Sequence, residues 1–266
     1  MKITFIGGGN MGQAMLSAVL NKGLTTPENI TVSDKNSARL KQLKQDFDVY
    51  ISGNNLEAIA RGDIIILAVK PQNLDEVMNE IGRQIKPEQL VLSIIAGKSI
   101  ASLRRGLKHD AIVRAMPNTP AQIGQGMTVW TATDEITEGQ KTTVGSILGA
   151  MGKEVYVTNE SYIDMATAIS GSGPAYVFLF MESLIDAAVE IGLPPEMARE
   201  LALHTVTGAA EYARRSDKGL AQLKQTVTSP GGTTAEALKV FERRDFSRLV
   251  KKAVAAAYRR AKELGG

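Results

Sequence analysis

Phe5-Ile6-Gly7-Gly8-Gly9-Asn10-Met11-Gly12 lies near the start of the chain, between the apolar run Ile3–Ile6 and the helical stretch Met11–Lys22. The segment satisfies G-x-G-x-x-G, and its flanks give the pattern its weight. A glycine turn between strand and helix presents free amides at a helix N-terminus, where the dipole favours a phosphate. Gly7 is expected to make the tight turn, Gly9 to let the backbone approach a pyrophosphate, and Gly12 to let helix and strand pack closely. Asn10 and Met11 complete the segment and count with it as cofactor-binding residues. The stretch predicts a dinucleotide site on a Rossmann-type domain.

Working outward, apolar runs alternate with helical segments through the first half. Ile3–Ile6, Ile30–Ser33, Asp48–Ile51, Ile64–Val69, Leu90–Ile95 and Ala111–Ala115 read as strands. Met11–Lys22, Ser37–Gln45, Leu74–Gln84 and Ile100–Leu107 read as helices. Such alternation predicts a mainly parallel sheet with helices on both faces. Met127–Thr131 and Glu154–Val157 are expected to extend it. After about residue 160 only helical patterns remain, broken at Gly192-Leu193-Pro194-Pro195, where proline is placed to start the next helix. The fold class is therefore α/β, with a Rossmann domain over 1–159 and an all-helical domain over 160–266.

The end of the second strand, Val32-Ser33-Asp34-Lys35-Asn36, is expected to meet the adenosine ribose. An acid there suits the free 2′-hydroxyl of NAD, whereas a hydroxyl beside a cation suits the 2′-phosphate of NADP. Ser33 and Lys35 flank Asp34, so the stretch leaves both cofactors open. Later strand ends read Ala68-Val69-Lys70-Pro71, Ile95-Ala96-Gly97 and Met116-Pro117-Asn118-Thr119-Pro120. Small residues and prolines at successive strand ends suggest a flat, rigid wall for a nicotinamide.

Composition bounds the chemistry. The 266 residues contain no cysteine, which excludes disulfides, thiolate metal sites and cysteine nucleophiles and fits a reducing compartment. The N-terminus shows no secretory signal, and Met165 to Met181 is interrupted by Gly171-Ser172-Gly173-Pro174, a poor membrane span. A cytoplasmic protein is expected. The net charge is +3, with basic residues concentrated on one face of an amphipathic C-terminal stretch that reads as a solvated helix surface rather than a nucleic-acid site. The only histidines are His109, expected to be exposed in a polar loop, and His204, expected to pack within a helix. No spacing suggests a metal site.

The helical half carries Ser229-Pro230-Gly231-Gly232-Thr233-Thr234-Ala235-Glu236. Pro-Gly-Gly is a turn, and Thr233 with Glu236 three residues later reads as a capping box. Glycines before a helix also expose amides to a small carboxylate, and Thr234 offers a hydroxyl donor beside it. Ser170-Gly171-Ser172-Gly173-Pro174-Ala175-Tyr176 permits close backbone approach, to a cofactor or to a packed helix. A hydride donor, a carboxylate holder and a weak donor without a strong base suit a C=N acceptor, which needs orientation more than proton abstraction.

Together, Phe5–Gly12, Ala68–Pro71, Arg114–Pro120, Ser170–Tyr176 and Ser229–Thr234 resemble the pyrroline-5-carboxylate reductases over essentially the full chain. The resemblance implies reduction of the cyclic imine 1-pyrroline-5-carboxylate to L-proline with NADPH, or less often NADH. It implies that Gly231, Gly232 and Thr233 hold the substrate carboxylate and that Thr234, the catalytic candidate, hydrogen-bonds the ring nitrogen. Glu160 matches a substrate-side acid. Ser33, Asp34 and Asn55 match the adenosine end, while Ala68, Val69, Lys70, Ala96 and Gly97 match the nicotinamide ribose. Pro71 and Asn118 belong to the same strand-end set. A homodimer through the helical domains, assembling into a larger homo-oligomer such as a decamer, is also implied. Asp34 departs from the neutral or basic residue of many NADP-preferring relatives. A β-hydroxyacid dehydrogenase of similar plan would carry a lysine in the helix Ala175–Ile191, and there is none. A binding protein without turnover would not need the carboxylate turn.

Overall fold

The structure is a computed structural model and describes residues 1–265. Its contacts divide the chain into two compact units, Met1–Ser172 with the segment from Ala256 onward, and Gly173–Ala255. The first unit begins β1 (Ile3–Ile6), α1 (Asn10–Asn21), β2 (Ile30–Ser33), α2 (Ser37–Phe47), β3 (Tyr50–Ser52) and α3 (Asn55–Ile59). It continues with β4 (Ile64–Leu67), α4 (Leu74–Ile81), β5 (Leu90–Ser93), α5 (Ile100–Leu107) and β6 (Ile112–Met116). Then come β7 (Gly126–Ala132), α6 (Glu138–Gly149), β8 (Gly152–Tyr156) and α7 (Ser161–Ala166), followed by a π-helical turn at Thr167–Gly171.

All eight strands form one sheet in the order β3-β2-β1-β4-β5-β6-β7-β8. β1 to β6 are parallel, β7 turns antiparallel to β6, and β8 runs parallel to β7. Strand periodicity sorts the side chains onto two buried faces. Ile3, Phe5, Val32, Ile64, Ile66 and Leu92 pack against α1, α2 and α6 through residues such as Met15, Leu43 and Ile147. Ile6, Ile65, Leu67, Val91 and Ile112 pack the other way, onto α3, α4 and α5 through Ile59, Ile81 and Leu103. Strand order reverses between β2-β1 and β4, and a crevice opens at the carboxyl ends of such strands.

The β1–α1 turn is fixed by contact with β4. Gly7 has φ of 105°, and a Cβ there would stand 2.7 Å from the Ala68 carbonyl. Gly12 lies against the same turn, where a Cβ would stand 2.6 Å from the Gly7 oxygen. Both glycines are required by backbone atoms that have nowhere to move.

The two units part at Ser172, later than the boundary expected after residue 159. α7 and the π-helical turn carry Ile163 and Ala168, both buried, and hold to the sheet through Arg114. The second unit contains α8 (Gly173–Glu190), α9 (Pro195–Arg215), α10 (Leu220–Thr226), α11 (Thr233–Arg243) and the larger part of α12 (Phe246–Gly265). None of the α8 residues is buried, and Phe178 and Leu179 are 60% and 63% exposed. Leu249 and Val250 of α12 are likewise exposed. Among the described residues one continuous helical run, Ser161–Glu190, is long and apolar enough by length and composition to cross a membrane.

Gly12→Ala is expected to cost about 1–3 kcal/mol of stability, because the new methyl meets backbone rather than a yielding side chain. Urea denaturation checks this; an unchanged midpoint would contradict the packing role of Gly12.

Candidate active site

The carboxyl ends of β1, β2 and β4 border a groove of about 320 Å³. Gly7, Gly9, Ser33, Asp34, Asn55, Ala68, Val69 and Lys70 line it, as do Ile6, Lys35, Asn36, Asn73 and Val77. Sequence reasoning brought the first eight together. Lys35 and Asn36 directly follow Asp34, and their place in the strand-end stretch was the available signal. Asn73 and Val77 carry no chemical pattern that would have singled them out.

Each wall of the groove has an identifiable support. Gly9 caps the start of α1 in extended backbone, and a Cβ there would have no atom within 4 Å. Unlike Gly7 and Gly12, Gly9 borders open space. Asp34 Oδ2 accepts from the Gly8 amide at 2.8 Å and Oδ1 from the Asn36 amide at 2.8 Å. Its carboxylate thereby ties the glycine turn to the end of β2. Arg39 Nε donates to the Gly8 carbonyl at 2.6 Å, and its guanidinium also donates to Gln13.

Asn55 enters the groove on the first turn of α3, a helix begun by Asn54, whose Oδ1 accepts from the Leu56 and Glu57 amides at 2.8 and 3.1 Å. Glu57 accepts from Ser52 and Tyr50, both at 2.6 Å, and those bonds, Ser52 first, hold its carboxyl below the usual range. Asn55 Oδ1 accepts from Ser33 Oγ at 2.7 Å, and Asn55 Nδ2 donates to Glu80 at 2.7 Å. Lys35 Nζ lies 2.6 Å from Glu76, both exposed. The β2 end of the groove is thus polar and mixed in charge.

The remaining expected residues lie elsewhere. Asn10, Met11 and Gly12 form the first turn of α1, and Pro71 opens the 3-10 turn Pro71–Asn73. Ala96 and Gly97 follow β5, with Gly97 at φ of 71° beside Leu264 of α12. The Asn118 side chain is engaged in the fold: Oδ1 accepts from the Met127 amide at 2.8 Å and Nδ2 donates to the Ser170 carbonyl at 3.0 Å. Gly171 lies against Met116, where a Cβ would come within 3.0 Å of its methyl.

Glu160 precedes α7 in the first unit. Its Oε1 accepts from Arg114 at 2.7 Å and from the Ile100 amide, the first of α5, at 2.8 Å. Gly231, Gly232, Thr233 and Thr234 belong to the second unit. There the capping box is corrected: Gly232 is the N-cap and Thr233 the first helical residue, with no side-chain cap. Glu236 pairs instead with Lys239 at 2.6 Å. Gly231 has φ of 70°, and the Gly232 amide donates back to the Ser229 carbonyl at 3.0 Å, closing the turn. The first-turn amides of α11 are thus presented by bare backbone.

The histidine expectations are reversed. His109 is buried, its Nε2 2.7 Å from the Gln89 carbonyl, whereas His204 is exposed on α9 beside Glu200 at 3.3 Å. No group of three or more metal-ligating side chains occurs among the described residues.

The strand order, the reversal at β1/β4 and the glycine turn define a two-unit, nucleotide-binding oxidoreductase fold. Residues 160–264 match the family model for pyrroline-5-carboxylate reductase dimerisation, and residues 2–97 that for NADP oxidoreductase, coenzyme F420-dependent. The pyrroline-5-carboxylate reductase of Synechocystis is 42% identical over 100% of this chain and 98% of its own. The structure of the Coxiella burnetii enzyme superposes with a TM-score of 0.91 at 38% identity, covering 100% of this chain and 98% of that one. That of Plasmodium falciparum pyrroline carboxylate reductase with NADP bound does so with a TM-score of 0.91 at 35% identity and the same coverage. The chain belongs to the pyrroline-5-carboxylate reductase family.

Proposed function

We propose that this protein reduces 1-pyrroline-5-carboxylate to L-proline with NADPH, NADH being the second donor, as the last step of proline synthesis in the cytoplasm. The observation that carries the reading is the start of α11. Pro230-Gly231-Gly232 delivers a helix N-terminus with no side-chain cap and two threonines in its first turn. Such amides suit a small carboxylate, and the dipole favours its charge.

When bound, the dihydronicotinamide supplies the hydride. Gly7 and Gly9 of the groove, with Asn10, Met11 and Gly12 of the adjoining first turn of α1, would hold that cofactor at the pyrophosphate, and Ser33, Asp34 and Asn55 would hold it at the adenosine end. Ala68, Val69, Lys70, Pro71, Ala96, Gly97 and Asn118 form the wall at its other end. Asp34 spends both oxygens on backbone amides, so an acid at this position serves the glycine turn, and Lys35 and Arg39 are the nearby cations for a 2′-phosphate. Gly231, Gly232 and Thr233 hold the substrate carboxylate. The Thr234 hydroxyl hydrogen-bonds the ring nitrogen, and Glu160 faces the substrate as its acid. A protonated imine is already electrophilic, so orientation and polar contacts suffice without a strong base.

The exposed apolar faces of α8 and α12 suit a second copy of the chain, and the homodimer is the unit from which a larger assembly such as a decamer is built. Exposed apolar residues gathered on helix faces mark protein–protein interaction sites. No nucleic-acid or membrane partner is invoked.

Purified protein is expected to oxidise NADPH with pyrroline-5-carboxylate and to form proline in equal amount; inactivity with both cofactors would overturn the reading. Thr234→Ala should slow that turnover by roughly ten- to a hundredfold, since the hydroxyl oxygen that accepts from the protonated ring nitrogen is lost and the hydride source remains. A loss under twofold in steady-state kinetics would reject the Thr234 role. Gly9→Val fills the open cradle without a clash, so helix content should persist while NADPH affinity falls by more than about a hundredfold. Fluorescence titration beside circular dichroism separates the two effects. Light scattering should find a dimer or larger species at dilute concentration, and a stable active monomer would contradict the assembly.

A further inference from the structure

Arg114 is a charged residue in the middle of an apolar strand, and its side chain is only 3% exposed. It lies in β6 between Val113 and Ala115, whose side chains join the core on the α1 side of the sheet. Alternation sends Arg114 to the opposite face, with Ile112. A buried guanidinium without partners would cost several kcal/mol. Here Nη1 donates to Glu160 at 2.7 Å and Nη2 to Asp164 at 2.6 Å. The two acids stand one helical turn apart and share one planar fork, a geometry that lysine cannot reproduce.

We propose that Arg114 is a positioning residue, which fixes the Glu160 carboxylate in the orientation required for the substrate ring nitrogen. The inference rests on the substrate-side role given to Glu160 above. Arg114 and the Ile100 amide both engage Oε1, so this one oxygen anchors the carboxylate between β6 and the start of α5. Glu160 remains about a third exposed at 32%, whereas Arg114 is sealed beneath it. The formal charges of Arg114, Glu160 and Asp164 leave one negative charge in excess, on the exposed side of the cluster. A cationic imine nitrogen is the ligand chemistry that this charge complements. Asp164, 20% exposed, holds the second arm of the fork and keeps the guanidinium from rotating.

The test compares full-length wild type, Arg114→Lys, Arg114→Met, Glu160→Gln and the Arg114→Lys/Glu160→Gln double variant. For each, kcat and KM for pyrroline-5-carboxylate, the dissociation constant of NADPH and the melting temperature are measured. Arg114→Lys should lower kcat/KM for the imine by roughly ten- to a hundredfold, mostly through KM, and Arg114→Met by more, while NADPH affinity stays within about threefold. In the Glu160→Gln background the same lysine should remove less than about threefold further, because its effect acts through Glu160. Should Arg114→Met fail to fold, the lysine variant retains the buried cation and carries the comparison. Full additivity in the double variant, undiminished activity of Glu160→Gln, or losses confined to melting temperature or NADPH affinity would each overturn the proposal. Wild type inactive on the imine would reject the underlying function and this role with it; additive losses in an active enzyme reject the role of Arg114 alone.

Discussion

Backbone contact between the β1–α1 turn and Ala68 is the constraint on which the groove depends. Gly7 turns at positive φ beside the Ala68 carbonyl, and Gly12 rests on the Gly7 oxygen. Only hydrogen fits at either position. With the turn held there, α1 begins where its first amides face the crevice at the strand reversal, and Gly9 borders open space. Asp34 and Arg39 then secure the turn from β2 and α2, through the Gly8 amide and carbonyl. The resulting turn is held by backbone contact with β4 and by side chains of β2 and α2.

Much of this was legible in the sequence because strand, turn and helix each write a different period. The glycine turn, the mainly parallel sheet and the strand-end residues of the groove follow from that writing, whereas Asn55 came from the family resemblance and Asn73 and Val77 went unmarked. What escaped had physical reasons. α3 is a single short turn, too brief to show a period. α6 carries Gly139, Gly145, Gly149 and two threonines, residues of poor helix propensity, and forms because Val144, Ile147 and Leu148 are buried against the sheet. The capping pattern at Thr233 misled because the helix starts one residue earlier, where Gly232 has no side chain to cap with. His109 reads as a loop residue, yet the Gln89 carbonyl draws it inward.

Arg114 shows a signal that was present and unused. A charge inside an apolar strand must find partners if it is buried, and Glu160 and Asp164 are spaced to share one helical face. Reading the strand for the charge it could not afford would have linked β6 to α7. That link also keeps α7 and the π-helical turn with the first unit, so the contact boundary falls at Ser172 rather than before Glu160. One ion-pair cluster thus bears on both the domain anatomy and the proposed chemistry.

The chemistry proposed for this chain is the transfer of a hydride to a carbon–nitrogen double bond. The most direct test supplies NADPH dideuterated at the nicotinamide C4 together with unlabelled pyrroline-5-carboxylate and analyses the product by mass spectrometry and NMR. Hydride transfer to the imine yields proline carrying one deuterium, on the ring carbon that had been double-bonded to nitrogen. Proline without deuterium, or label on any other carbon, would contradict it.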